Sequence, residues 1–339
     1  MTGQKNKIIR WGIVGTGNIA HKFALGLKLL DDSELVAVAS RTMASAGRFG
    51  DEFGVKHRHT DIAALAANPE VDIVYIATPN TAHCANTLTA LEGGKAVLCE
   101  KPFAMNAAEA TSMIHAARAK GLFLMEAVWS FFFPAMEKVR SLIASGALGE
   151  IRLLQSNFCF RAAYNPDGRL FSPELGGGAL LDVGIYNVAL ARMVYQRQPD
   201  QIRSMAHIGE TGVDEQSSAI FGYEGGAMEM MTSSVRTGNP RHEAMILGTG
   251  GHIRIPHMFW QPDQIIVKVG DGPEQTLNFD RIGGGINYEA AAVAQCLRNG
   301  GLESAVIPLA TTLDNIRTLD RCRAQWGLVY PSERPDPRN

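Results

Sequence analysis

The sequence predicts two units in one chain: an α/β unit on a parallel sheet, then an α+β unit with a large open, mainly antiparallel sheet. Three observations carry this. Strand-like and helix-like segments alternate through residue 127, a glycine turn follows the first strand, and from residue 217 strands succeed one another without obvious helices between them, two of the connections being short Gly-containing turns. Alternation at that rhythm implies parallel strands covered by helices on both faces, whereas strands joined by tight turns pair antiparallel. At roughly 100–200 residues per domain a chain of 339 holds two, and the change of pattern divides it at 1–127 and 128–339.

The elements follow in order. Residues 8–14 are a short buried strand, and an apolar helix through Phe23, Leu25, Leu27 and Leu30 comes after the glycine turn. Residues 35–40 are a second buried strand, 45–53 a helix, Val55 the start of a third strand, and 62–67 a short helix closed by Asn68-Pro69. Strands at 71–77, 96–100 and 122–126 alternate with helices at 82–92 and 107–120. In the second unit a helix at 134–145 stops at Gly146, a long strand covers 151–160, and a loop leads to a helix from about Ala179. Strands then fall at 217–223, 227–235, 243–247, 252–255 and 264–269, with hairpin turns at 224–226 and 248–251. Helices at 288–299 and 311–326 end the fold, and from Pro331 the chain reads as a loose tail.

The turn Gly15-x-Gly17-x-x-Ala20 follows a strand and opens a helix. This is the context in which such a motif binds a dinucleotide. Gly15 permits the tight turn, Gly17 lets the backbone approach a pyrophosphate, and Ala20 allows close helix–strand packing. Phosphate then rests on helix N-terminal N–H groups, from Thr16, Asn18 and Ile19 onward. The unit is therefore expected to be a Rossmann domain. A carboxylate at the end of the second strand usually holds the ribose of NAD. Here the strand ends Ser40-Arg41-Thr42. Arg41 suits a 2′-phosphate, with Ser40 and Thr42 donating hydrogen bonds, so NADP is the expected cofactor. Arg41 also reads as a solvated surface arginine.

Composition excludes other classes. The net charge is −2 and no long basic run occurs, which argues against a nucleic-acid or anionic-membrane partner. No run of about 18 apolar residues is evident in the sequence and the first ten residues lack the apolar core of a secretory signal. Five scattered cysteines without a Cys-x-x-Cys pair fit free thiols in a reducing cytoplasm. His57-Arg58-His59 reads as solvated, and His252 and His257 have no partner at ligand spacing, so no catalytic metal is expected.

Two segments carry candidate chemistry. Glu100-Lys101-Pro102 follows a strand at the carboxyl edge of the sheet, where open α/β sheets bind ligands. Proline after lysine suggests a fixed turn or a cis bond. Alone, Lys101 also reads as an ordinary loop lysine. In Gly176-Gly177-Gly178-Ala179-Leu180-Leu181-Asp182-Val183-Gly184-Ile185-Tyr186, Asp182 and Tyr186 lie four apart and share a helical face. Tyrosine titrates near ~10 in water, and a nearby ammonium favours its phenolate, making it a proton-transfer candidate. Tyr186 also reads as a core tyrosine with a satisfied hydroxyl.

The chain resembles the Gfo/Idh/MocA oxidoreductase family almost end to end. The segments that carry the resemblance are residues 11–20, Ala77-Thr78-Pro79-Asn80 with His83, Glu100-Lys101-Pro102, and the Asp182 helix. More narrowly it resembles the branch of dimeric dihydrodiol dehydrogenase and NADP-dependent D-xylose dehydrogenase. The shared segments there are Glu126-Ala127-Val128-Trp129, Phe132-Phe133-Pro134, residues 177–186, and the ending from Tyr288-Glu289 through residues 326–331. The resemblance implies that Lys101 and Tyr186 form the catalytic pair and that Asp182 orients substrate hydroxyls and the tyrosine. It further implies that Thr78, Pro79, Asn80, His83 and Glu100 serve the cofactor with Lys101, and that Trp129 and Phe158 line the substrate pocket. Phe131 stands where the branch usually has arginine.

The expected reaction is hydride transfer between NADP(H) and a carbinol carbon of a small sugar or polyol, first an aldose at its anomeric carbon. A trans-dihydrodiol or a keto-sugar reduced by NADPH is the alternative, and a non-catalytic NADP sensor the reading from another class. A homodimer is expected through the second sheet. In residues 227–235 neither Met228, Met230, Thr232 and Ser234 nor the alternate set is strongly charged, and a weakly charged sheet face suits an isologous contact. The family resemblance also implies pairing through this sheet.

Overall fold

β1 (Ile9–Val14), α1 (Asn18–Leu27), β2 (Ser33–Ala39), α2 (Met43–Phe53), β3 (His57–His59), α3 (Ile62–Ala66), β4 (Ile73–Ile76), α4 (His83–Glu92), β5 (Ala96–Glu100), α5 (Ala107–Lys120) and β6 (Leu124–Ala127) alternate as expected in the computed structural model, which describes residues 7–238 and 241–334. All six strands run parallel in the order β3-β2-β1-β4-β5-β6. The order reverses between β1 and β4, which opens a crevice at the carboxyl ends of those strands. β4, β5 and β6 are buried along their whole length. This explains why they do not alternate, since strands covered on both faces are apolar on both, here except for the buried Glu100 and Glu126.

The second unit holds α6 (Pro134–Ala144), β7 (Ile151–Cys159), α7 (Ile185–Tyr195), β8 (Gln201–Ile208), β9 (Asp214–Gly222), β10 (Met228–Ser234), β11 (Ala244–Gly248), β12 (Gly251–Ile255), β13 (Gln264–Val269) and β14 (Gln275–Asn278). The eight strands are ordered β14-β13-β12-β11-β7-β10-β9-β8. Every pair is antiparallel except β7 with β10. β8 and β14 are absent from the sequence reading. They are the two edges of the sheet, and their residues are mostly exposed or half-buried, so no apolar pattern marks them.

α8 (Ile286–Arg298) and the start of α9 (Leu309–Trp326) return to the first unit, which comprises residues up to Ala104, Ala108–Phe132 and Arg281–Thr312. The second comprises Met105–Ala107, Phe133–Asp280 and residues from Leu313. This departs from a single division at 127/128. Local packing explains it: Gly26 of α1 leaves room for the backbone of α8, a Cβ there lying 3.2 Å from the Asn287 nitrogen, and Arg298 pairs with Asp32 at 2.8 Å.

Two further expectations need correction. The run Pro173–Tyr195 is in fact long and apolar enough to pass as a membrane span, but nearly all of it is buried in the second unit, so it is a core element. The tail expected from Pro331 is not loose through Arg334. Pro331–Glu333 is a 3-10 turn, and Glu333 binds Arg323. Residues 335–339 lie outside the described residues.

Candidate active site

The glycine turn has the geometry its residues require. Gly15 sits at φ +106, and a Cβ there would collide with the Ala77 carbonyl, so only glycine fits. Gly17 precedes α1 with nothing within 4 Å of where its Cβ would be, and no side chain caps the helix. Ala20 is fully buried. An open glycine edge and an uncapped helix start fit a pyrophosphate. Thr16 Oγ1 lies 3.4 Å from Ser40 Oγ, which joins this turn to the end of β2. Arg41 and Thr42 are exposed. Thr42 is already employed: its Oγ1 accepts the Ser45 N–H and donates to Ser45 Oγ, capping α2.

The turn after β5 is braced from below. The Tyr75 hydroxyl donates to Glu100 Oε1, and the Lys101 N–H donates to Glu100 Oε2 at 3.2 Å. The Lys101-Pro102 bond is cis. His83 is fully buried, its ring lying 2.8 Å from the Pro102 carbonyl and 3.0 Å from the Thr78 carbonyl. Both ring nitrogens therefore face backbone carbonyls, and burial lowers its pKa. Asn86 donates to Thr78 Oγ1 at 3.0 Å. Three buried carboxyls interact here: Glu126 with Glu100 and Lys101, and Glu289 with Glu100. Glu126 accepts the Phe103 N–H at 3.1 Å. Burial pushes its carboxyl up to about 7; the charge of Glu100 adds to this, and the Phe103 N–H and Lys101 ammonium oppose it. Burial also holds Glu289 well above the usual carboxylate range. Trp129, in a 3-10 turn, is half-buried and Phe131 is buried.

In the second unit Asp182 and Tyr186 are buried side chains at the start of one helical run. Its first turn, Leu180–Gly184, is a π-turn that passes into α7 at Ile185. Such wide turns recur at functional sites. Asp182 Oδ1 accepts Arg169 Nη1 at 2.7 Å, and Arg169 is largely exposed. Tyr186 packs its ring 5.5 Å from that of Phe158, which stacks on Trp260 at 3.5 Å and 8°.

Comparison with known proteins follows the same division. Residues 9–128 match the family described as oxidoreductase family, NAD-binding Rossmann fold (GFO_IDH_MocA), and residues 136–254 match its C-terminal domain. A trans-1,2-dihydrobenzene-1,2-diol dehydrogenase of Mus musculus is 37% identical over 334 residues, covering 96% of this chain and 99% of the relative. That of Homo sapiens is 38% identical over 336 residues, covering 96% and 99%. The chain belongs to the Gfo/Idh/MocA oxidoreductase family. An aldose-aldose oxidoreductase from Caulobacter crescentus, crystallised with glycerol, shares the fold at 24% identity and a TM-score of 0.87, over 95% of this chain and 98% of that one.

As a Gfo/Idh/MocA member the chain is an oxidoreductase with an NAD(P)-binding Rossmann domain. The residues that reading from sequence singled out fall into two sets. Gly15 to Ile19, Ser40 to Thr42, Thr78 to Asn80, His83, Glu100, Lys101 and Trp129 lie in the first unit, and Phe158, Asp182 and Tyr186 in the second. Sequence reasoning missed Arg169, Trp260 and Asp214. Arg169 and Trp260 sit in loops, where no periodicity marks a partner. Asp214 opens a strand and looks like a turn residue, yet it is wholly buried, its Oδ2 accepting the Leu180 N–H at 2.7 Å and its carboxyl pushed by burial up to about 7.

Proposed function

We propose that this oxidoreductase uses NADP(H) and acts on a carbinol carbon of a small sugar, polyol or diol. The observation that carries the reading is the carboxyl edge of the first sheet. An open glycine turn, an exposed Arg41 where NAD enzymes keep an acid, and Lys101 in a turn braced by Tyr75 and Glu100 all lie there. When bound, NADP supplies the hydride acceptor, and NADPH the donor. The chain's own residues must then hold the alcohol and move one proton at its oxygen. Tyr186 is the proposed proton carrier, Lys101 the positive charge that favours its phenolate, and Asp182 the acceptor of a substrate hydroxyl, its carboxylate fixed by Arg169. Trp129 and Phe158 are the proposed apolar surfaces for the substrate ring.

An aldose at its anomeric carbon remains the first substrate proposed. The 37–38% identity to trans-1,2-dihydrobenzene-1,2-diol dehydrogenases supports a trans-dihydrodiol as the second. A trans-dihydrodiol presents a secondary alcohol and a cyclic aldose a hemiacetal CH–OH, each beside another hydroxyl, which suits one acid and one phenol. Turnover of a panel of aldoses, polyols and trans-diols with NADP and NAD tests the reading. Nucleotide binding without turnover of any of them would instead support a non-catalytic NADP sensor.

A homodimer through the outer face of the second sheet is also proposed. Met205 (81% exposed), Ile220 (44%), Met228 (40%) and Met230 (41%) lie on that face, while Glu229 and Met231 turn inward. Ser234, grouped with the outward set by alternation, is buried. The five free cysteines, among the described residues, support a cytoplasmic setting.

A further inference from the structure

The helix that carries Asp182 and Tyr186 has no side-chain cap of its own. Its first N–H groups would be left without partners in a buried setting, a cost that folded proteins avoid. The missing partner comes from far along the chain. Asp214, at the start of β9, accepts the Leu180 N–H at 2.7 Å. The carbonyl of Gly177, three residues earlier, accepts the hydroxyl of Tyr330, near the C-terminal end of the described residues. Between them lies Gly178 at φ +117, where a Cβ would collide with Asp214 Oδ1 and come within 3.0 Å of the Tyr330 hydroxyl. The Asp182 N–H in turn donates to the Gly178 carbonyl at 3.2 Å. Asp214 and Tyr330 therefore meet the backbone on either side of the peptide group from which the Asp182 turn hangs.

Tyr330 is itself anchored. Its ring is fully buried, with the Arg323 guanidinium 5.2 Å from its centre. Arg323 donates to Glu333 Oε2 at 2.7 Å, to Glu333 Oε1 and the Met105 carbonyl at 2.9 Å, and to Asp320 Oδ1 at 2.7 Å. Glu333 Oε2 also accepts the Tyr330 N–H at 2.9 Å. This arginine cage fixes the strap, and the strap's single hydroxyl reaches the glycine turn.

We infer that Asp214 and Tyr330 are positioning residues, an N-cap and a clamp supplied from elsewhere in the second unit, that hold the π-turn bearing Asp182 in register for Tyr186. The inference rests on the proposed roles of Asp182 and Tyr186. A displacement of about 1 Å at a reacting centre costs up to roughly 10²-fold in rate, so losing one clamp bond is expected to lower turnover about tenfold.

The test uses the full chain and three variants, Tyr330→Phe, Asp214→Ala and Asp214→Asn, with two readouts. Hydrogen exchange read by mass spectrometry, with no substrate present, should show faster exchange across 177–186 in Tyr330→Phe and Asp214→Ala and unchanged exchange in 9–27. Asp214→Asn keeps an oxygen that can accept the Leu180 N–H and should restore slow exchange. Steady-state kinetics should show kcat lowered in the first two variants, NADPH affinity unchanged, and kcat recovered in Asp214→Asn. Wild-type exchange across 177–186 in both Tyr330→Phe and Asp214→Ala would overturn the inference. So would faster exchange with wild-type kcat in an enzyme whose Tyr186→Phe variant is inactive. If Tyr186→Phe keeps full turnover, the proposed role of Tyr186 has failed, and the exchange data still decide whether the clamp exists. Should Asp214→Ala fail to fold, Tyr330→Phe, which removes one oxygen and leaves the caged ring, decides alone.

Discussion

Replacing Glu126 by glutamine should remove a pH slope from the stability of the first unit. The Glu126 side chain is fully buried, and burial lifts its carboxyl from 4.5 to about 7. Between those values the folded chain keeps a proton that the unfolded chain has released. The stabilising contribution is thus complete below pH 4.5 and is lost as pH rises through 7, opposite to a salt-bridged carboxylate. At about 1.4 kcal/mol per pH unit, a lift of this size corresponds to about 3 kcal/mol. Glutamine offers the same oxygen to the Phe103 N–H and does not ionise. Relative to wild type, Glu126→Gln should therefore gain about 3 kcal/mol between pH 4.5 and pH 8. Urea denaturation at a series of pH values, with hydrogen exchange of 96–104 to report on this unit, measures the difference. A wild-type-minus-variant difference that does not change with pH would show that Glu126 ionises as freely folded as unfolded, and the reasoning from burial would fall.

Arg41→Ala should raise the KM for NADP about ten- to a hundredfold, as charge-assisted hydrogen bonds to the 2′-phosphate are lost, with little change for NAD; equal effects on both nucleotides would remove Arg41 from discrimination. Tyr186→Phe and Lys101→Ala should each lower turnover by about 10²–10⁴-fold with nucleotide binding retained, and near-normal turnover at saturating substrate would exclude the residue concerned. Gly15→Ala should abolish nucleotide binding, because its Cβ meets the Ala77 carbonyl at a left-handed φ; an intact NADPH titration would count against the glycine turn as the cradle. Light scattering should give a dimer mass for the wild type and a monomer for Met230→Asp, whereas a monomeric wild type at micromolar concentration would end the dimer proposal.

The alternation of the first unit, and the place of its cradle, could be read from residues alone because local rules govern both. β4 is apolar along its length and β1 and β5 each carry one charged residue among apolar ones, as doubly covered strands do, and the Gly15 and Gly17 spacing is dictated by backbone sterics within a single turn. The same local logic located the Lys101 turn and the Asp182 helix. It failed where a residue's role depends on a distant partner. β8 and β14 carry no apolar period because an edge strand buries little, and only pairing with β9 and β13 makes them strands. Asp182 and Tyr186 looked like α-helical neighbours, but the turn between them is wide, and its start is held by Asp214 and Tyr330, 34 residues beyond Leu180 and 153 beyond Gly177. Burial likewise raises the carboxyl of Glu126, which the sequence shows only as a strand residue, since the energy of a charge depends on what surrounds it in three dimensions. Periodicity and turn sterics act between near neighbours and are written in order along the chain; desolvation, capping from a distance and edge pairing act between residues that only the folded packing brings together.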